Sequence, residues 1–401
     1  MNDEFEAQAL KPLMRPQPMP PSKVDIKRAL AEGRRRERSR RLLAVAAVAV
    51  AVGATLIGVS AFAPDRRPPQ IGDETPPSPT VVRTRNGCGV QRLPTPGGAP
   101  AVVGAVDPAG RYAVGTLDGD SGGEQGAGVV LLWTDGVLQP VAGAPLPYPH
   151  PAGVNAAGVV VGNSQGESTS VPWMLKDGTF TRLATPPDAD TVSAEGINAA
   201  GDIIGTASWQ DGSRATRARI VRWNVARPEQ FAYVTTSPTI ARASGVADDG
   251  TVFGRGMEPG HDPQPYVWRP DGTPRLLKRS GGKPAYGVTQ IAGDWAIGYY
   301  EDGSTWFDQG VRWNLRTGEV RELGTFVPGG VDASGRMFGV VMRSIDDAPP
   351  ALWTDGAVLE MPVLSDGQSA VVTSMSADGR TAVGWLSRSK NDPVLPVRWT
   401  C

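Results

Sequence analysis

From residue 106 to residue 384 the chain repeats one pattern of apolar and polar positions. A short apolar stretch runs into an Asn/Asp-x-x-Gly turn, and a Val/Ile-rich stretch follows and closes on glycine. Gly153-Val154-Asn155-Ala156-Ala157-Gly158-Val159-Val160-Val161-Gly162 is one copy, and Gly196-Ile197-Asn198-Ala199-Ala200-Gly201-Asp202-Ile203-Ile204-Gly205 is another. Degenerate copies begin at Val106, Val246, Val331 and Met375, and the most divergent spans Val288 to Gly298. The closing glycines are Gly115, Gly162, Gly205, Gly254, Gly298, Gly339 and Gly384. Each copy is followed by a tryptophan, in turn Trp133, Trp173, Trp223, Trp268, Trp313, Trp353 and Trp399, at spacings of 40 to 50 residues. The Asn/Asp-x-x-Gly step suits a tight hairpin with glycine at positive φ. A second turn, often Asp-Gly as at Asp135-Gly136 and Asp177-Gly178, precedes one more strand. Four strands per unit of this length is the period of a β-propeller blade, and seven units predict an all-β, seven-bladed ring over residues 86–401.

The ends of the repeat predict its closure. The last unit stops at Val397-Arg398-Trp399-Thr400-Cys401, after its third strand, and Gly89-Val90-Gln91-Arg92-Leu93 has the character of the missing fourth. Cys88 and Cys401 then fall where an Asp-Gly turn would stand, which predicts a disulfide; two unpaired thiols are the alternative. Such a bridge closes a loop of about 300 residues and stabilises the fold by lowering the entropy of the unfolded chain. In each blade the first and third turns share one face, and the longer loops share the other. With the linker joining at Cys88, the long loops are expected to point away from whatever holds the linker.

A different pattern precedes the repeat. Leu42 to Ala63 is a run of 22 residues without a charge, about 33 Å as a helix against roughly 30 Å of hydrocarbon. Six arginines lie in the eight residues 34–41, just before it. The positive-inside rule predicts a single transmembrane helix (42–63), with residues 1–41 cytoplasmic and the rest outside. A cleaved signal peptide, ending at Ala61-Phe62-Ala63, also exports the rest. Residues 1–41 read as basic and largely disordered, with their arginines against anionic lipid. Residues 64–85 hold six prolines and read as an extended linker.

Composition narrows the chemistry. Lys+Arg (40) nearly balances Asp+Glu (41), so no nucleic-acid partner is expected. Two histidines, His150 and His261, and two cysteines are too few for a zinc or iron–sulfur centre, and no cofactor or metal is expected. No P-loop, dinucleotide fingerprint or nucleophile elbow occurs in its needed context.

The Gly-Val/Ile-Asn-x-x-Gly-x-Val-Val-Gly stretch with its tryptophan and Asp-Gly step resembles the HAF family of extracellular repeats. It is similar, more loosely, to bacterial WD-like and TolB-like propellers. The resemblance covers roughly residues 89–400 and implies the propeller architecture. It carries no catalytic residues to transfer. The fifth unit departs by lacking the Asn/Asp turn, and the first by holding Pro108.

Function is therefore expected on non-repeating loop residues. Tyr299, Tyr300 and Glu301 with Trp306 form the richest aromatic cluster out of register, and are the preferred binding patch. Trp209 with Asp211 could stack a sugar ring or cover a blade edge. Asp118, Asp120 and Glu124 are candidate calcium ligands, against a simple solvated acidic loop. His261 with Asp262 is a weak acid–base pair. The expected role is a binding or scaffolding module for a cell-envelope protein or glycan. The rival readings are a propeller glycosidase or lyase working at the central channel, and a transmembrane sensor reporting through residues 1–41.

Overall fold

In a computed structural model the described residues are 81–83, 87–118, 129–141, 148–165, 170–211, 214–234, 237–258, 261–278, 285–301, 308–344, 346–354, 356–389 and 392–401. Segments 1–41 and 42–63 and most of the linker lie outside them. Among the described residues no helix is long and apolar enough to cross a membrane.

The described chain is all-β. Strands β1 (Val81–Arg83) and β2 (Gly89–Arg92) precede a run of antiparallel meanders. The first is β3 (Ala101–Val106), β4 (Tyr112–Leu117), β5 (Val130–Thr134) and β6 (Val137–Gln139). The next is β7 (Pro149–Val154), β8 (Val160–Gln165), β9 (Ser170–Lys176) and β10 (Thr179–Arg182). Then come β11 (Thr191–Ile197), β12 (Asp202–Asp211), β13 (Arg214–Asn224) and β14 (Arg227–Tyr233), followed by β15 (Ile240–Val246), β16 (Val252–Met257), β17 (Gln264–Trp268) and β18 (Pro274–Leu276). One parallel bridge, Ala218 to Ile240, joins these two sets into a single sheet. The meanders β19 (Ala285–Ala292), β20 (Trp295–Glu301), β21 (Asp308–Asn314), β22 (Val320–Glu322) and β23 (Phe326–Val331), β24 (Met337–Val341), β25 (Pro350–Thr354), β26 (Ala357–Glu360) follow. Last come β27 (Ser369–Met375), β28 (Thr381–Ser387) and β29 (Leu395–Thr400).

The final sheet takes its remaining strands from the other end of the domain. β2 pairs with β29, Gly89 opposite Thr400 through Arg92 opposite Val397, and the Cys88–Cys401 disulfide sits beside that register. The predicted closure and bridge are both present. β1 adds a fifth strand on β2, Val81 opposite Gln91 and Arg83 opposite Gly89. This differs from the reading of 64–85 as wholly unstructured linker: backbone pairing to an open sheet edge captures its last residues. It also changes the orientation argument. β1 runs antiparallel to β2 toward the tight-turn face, so the domain's first described strand begins at the loop-face end and Cys88 is not its point of entry.

Packing explains the repeat. Each apolar cluster joins one meander to the next: Ala105, Val114 and Val130 meet Val154, Val160 and Trp173, and Ile204 and Ile220 meet Ala241, Val252 and Trp268. Leu93, Ala101, Val103 and Trp133 meet Val383 of the last sheet, which closes the ring. The register tryptophans are all buried, and most bind the exit of the preceding meander. The indole N–H of Trp133 donates to the Pro94 carbonyl (2.7 Å), that of Trp223 to Ala184 (2.6 Å) and that of Trp399 to Pro362 (2.9 Å).

The turn residues have the structural role read from the pattern. Asn155 Oδ1 accepts the Ala157 and Val159 N–H groups, while its amide donates to the carbonyl of Asn198, the same residue of the next meander. Gly201 ends its turn at φ +81°. The closing glycines answer a different need. A Cβ on Gly205 would overlap the Ser193 carbonyl oxygen on β11. Close approach across the strand pair, rather than a special backbone angle, excludes a side chain there.

Candidate functional site

The inner strands carry a second regularity, absent from the turn motif. Each is bulged at a common place: between Val103 and Ala105, Pro151 and Gly153, Ala194 and Gly196, Ala243 and Gly245, Val288 and Gln290, Pro328 and Gly330, and Val372 and Ser374; β19 carries a second shift between Ala285 and Gly287. A bulge leaves one residue unpaired and re-aims it. Here those residues are Gly104, Ala152, Glu195, Ser244, Thr289, Gly329 and Thr373. They, and the residues two before them, keep accessible surface, while the neighbours between are buried except for the half-buried Pro151. They line the axis where the inner strands meet.

The strands touch around that axis. Thr373 Oγ1 on β27 donates to the Val103 carbonyl on β3 (2.8 Å), closing the ring from inside. Toward the tight turns the wall tightens. A Cβ on Gly196 would lie 3.2 Å from Gly245 Cα, and Gln290 accepts from the Val331 N–H (3.2 Å) while donating to the Met375 carbonyl (3.4 Å).

Charge enters this wall on consecutive strands. Glu195 on β11 accepts a hydrogen bond from Ser193 Oγ at 2.5 Å. Burial raises its carboxyl to about 7, against the opposing pull of Ser193 and the positive fields of Arg242 and Arg255. Arg242 on β15 is lowered by burial and by Arg255, which pairs opposite it on β16, and raised in turn by Glu195. His150 on β7 stands at the same level; burial lowers its imidazole, although it keeps an accessible face. No repeat pattern singles out Glu195 or Arg242. Only the alternation along a bulged strand could have suggested that they face the axis.

The loop candidates fare differently. Tyr299 is half-buried on β20, opposite Gly287 and Gly310. The side chains of Tyr300 and Glu301, and Trp306 altogether, lie outside the described residues. Asp118 follows β4 and donates its N–H to the Pro100 carbonyl, while Asp120 and Glu124 lie outside the described residues. Among the described residues no group of three His, Cys, Asp or Glu could hold a metal. His261 is exposed, and its backbone N–H donates to Glu258.

Trp209 lies near the loop-face end of the long strand pair β12–β13, beside the 184–190 segment, where the Asp190 N–H donates to the Ser208 carbonyl. Its inner side packs on the cluster around Val192 and Val221, the Arg217 guanidinium covers it at 3.9 Å, and its indole N–H donates to Asp188 Oδ2 at 3.2 Å. Arg217 pairs with that same carboxylate at 3.6 Å. Beside them Tyr233 is 40% exposed, 5.6 Å from Phe231 and 6.4 Å from Trp209 between ring centres, with the Arg219 guanidinium 5.2 Å from its own ring. Trp209 is thus a braced support for an exposed Tyr/Arg surface. The side chain of Asp211 is not described.

No protein-family model matches the chain, and no curated protein sequence is similar to it. Solved structures do match. Oligogalacturonate lyase from Vibrio parahaemolyticus aligns with a TM-score of 0.52 at 12% identity, over 80% of this chain and 96% of that one. The β-propeller domain of the Trilobed protease from Pyrococcus furiosus aligns at 0.49 and 10%, over 75% and 93%. TolB from Acinetobacter baumannii aligns at 0.39 and 16%, over 58% of this chain, which spans 60% of the TolB chain. At such identities the likeness is one of fold: the repeat region is a β-propeller.

Proposed function

We propose that the protein is a membrane-anchored, extracytoplasmic propeller of seven blades that binds a cell-envelope protein through its loop face. The observation that carries this is the Trp209–Arg217–Asp188 cluster with Tyr233 and Arg219. Arg, Tyr and Trp concentrate binding energy at interfaces, and here a hydrogen-bonded support holds them rigid before a partner arrives. Two guanidiniums beside an exposed tyrosine suit an acidic protein surface; a glycan is the competing ligand. Supporting the count of seven are the seven register tryptophans, and supporting export is the Cys88–Cys401 bridge, since disulfides persist in oxidising compartments. The apolar run 42–63 and the arginines before it support the anchor.

The test is photo-cross-linking in intact cells, with a benzophenone side chain at Tyr233 and a control at the exposed Val358 of β26. One discrete protein captured at Tyr233, absent from the control, and lost in Arg217→Ala is the expected result. Equal capture at both positions overturns the reading, and capture of carbohydrate alone replaces the protein partner by a glycan. Protease added outside spheroplasts should digest the repeat region; its protection would overturn export.

A further inference from the structure

We propose that the loop-side mouth of the axial channel binds a small organic monocarboxylate with an apolar body, its carboxylate held by Arg242. This goes beyond partner docking and does not rest on it. The channel wall is divided. The strands β7, β11 and β15 present His150, Ser193, Glu195, Arg242 and Ser244, while β23, β27 and β3 present Val327, Val371 and Val102 at the level of Arg242. Arg242 keeps accessible surface there, and among the described residues no hydrogen bond or ion pair engages its guanidinium. Glu195, the carboxylate acting on it from β11, is bonded instead to Ser193 at 2.5 Å. A guanidinium drawn from bulk water and not yet paired is stabilised by a carboxylate, which it can grip with two parallel N–H bonds. The valine sector takes the rest of the molecule out of water. On the tight-turn side of Arg242 the neighbouring inner strands draw together at Gly196–Gly245, and Gln290 bridges β23 and β27.

The test uses the full-length protein in nanodiscs and isothermal titration with benzoate and hexanoate, with benzyl alcohol and hexanol as neutral matches. Saturable binding of a carboxylate, absent for its alcohol, is expected, with at least about a tenfold loss in Arg242→Gln and partial retention in Arg242→Lys. Melting curves of the variants, matched to the unmodified protein, separate loss of the ligand from loss of the fold. Tyr233→Ala should bind the carboxylate normally, which separates this site from the docking surface. Unchanged affinity in Arg242→Gln, equal binding of the alcohols, or no binding of either acid up to about 10 mM overturns the proposal.

Discussion

Replacing both cysteines, Cys88→Ser with Cys401→Ser, should destabilise the propeller without dismantling it. The bridge spans 313 residues of sequence. A loop of that size lowers the entropy of the unfolded chain by an amount worth about 5–6 kcal/mol at room temperature. The folded state loses little, because the β2–β29 register from Gly89 to Arg92 remains, with Val90 and Trp399 fully buried in it. Unfolding entropy for roughly 310 residues is about 0.65 kcal/mol per degree, so the melting temperature should drop by roughly 8 °C. Calorimetry on the oxidised protein, the same protein under reductant, and the double variant measures it. The last two should coincide. The denaturant slope should rise in the variant, because an uncrosslinked chain exposes more surface when unfolded. A melting temperature within about 2 °C of the oxidised protein refutes the loop-entropy argument. A new early transition would instead mean that the bridge holds β2 in place in the native state.

Three further outcomes follow from particular contacts. Glu195 has a folded-state value of about 7 against an ordinary 4.5, so the stability associated with its protonated form is present below 4.5 and fades as pH rises through about 7. The full swing is up to about 3 kcal/mol, and Glu195→Gln should flatten that part of a stability-against-pH curve; an unchanged slope removes Glu195 as its cause. Gly205→Ala drives a methyl into the Ser193 carbonyl and should cost more than about 3 kcal/mol by denaturant titration, whereas an ordinary helical-type glycine effect would stay near 1 kcal/mol. Arg312→Met removes a cation lying 4.2 Å from the Trp295 ring and 4.5 Å from the Trp353 ring, and its bond to the Gly335 carbonyl at 3.0 Å. A loss of about 2–3 kcal/mol is expected, and a change below about 0.5 kcal/mol would show that the stack contributes nothing net.

Much of the fold was legible because its determinants are local and recur. Asn155 and Asn198 announce their turns within four residues, since an Asx side chain caps the backbone beside it. The tryptophans mark the third strand of each unit, and the absent last strand, with one cysteine at each end, exposed the closure. The closing glycines Gly115, Gly205 and Gly384 were visible as a repeat, but their reason, a carbonyl on the neighbouring strand, was not.

The site was far less legible. Glu195 and Arg242 lie 47 residues apart on different strands, and neither belongs to a motif. Trp209 was visible as an aromatic out of register, yet its brace comes from Asp188 on one side and Arg217 on the other. Nor does any composition signal mark Val81–Arg83 as a strand, because pairing to an open edge depends on where β2 lies. The sequence by itself determined the repeat, its turns, the identity of the buried tryptophans and the pairing of its ends, since each rests on short-range backbone chemistry repeated along the chain. Only the tertiary structure decided which residues face the axis, because a bulge turns a side chain by displacing one residue, and the wall it faces is assembled from strands separated by whole units of sequence.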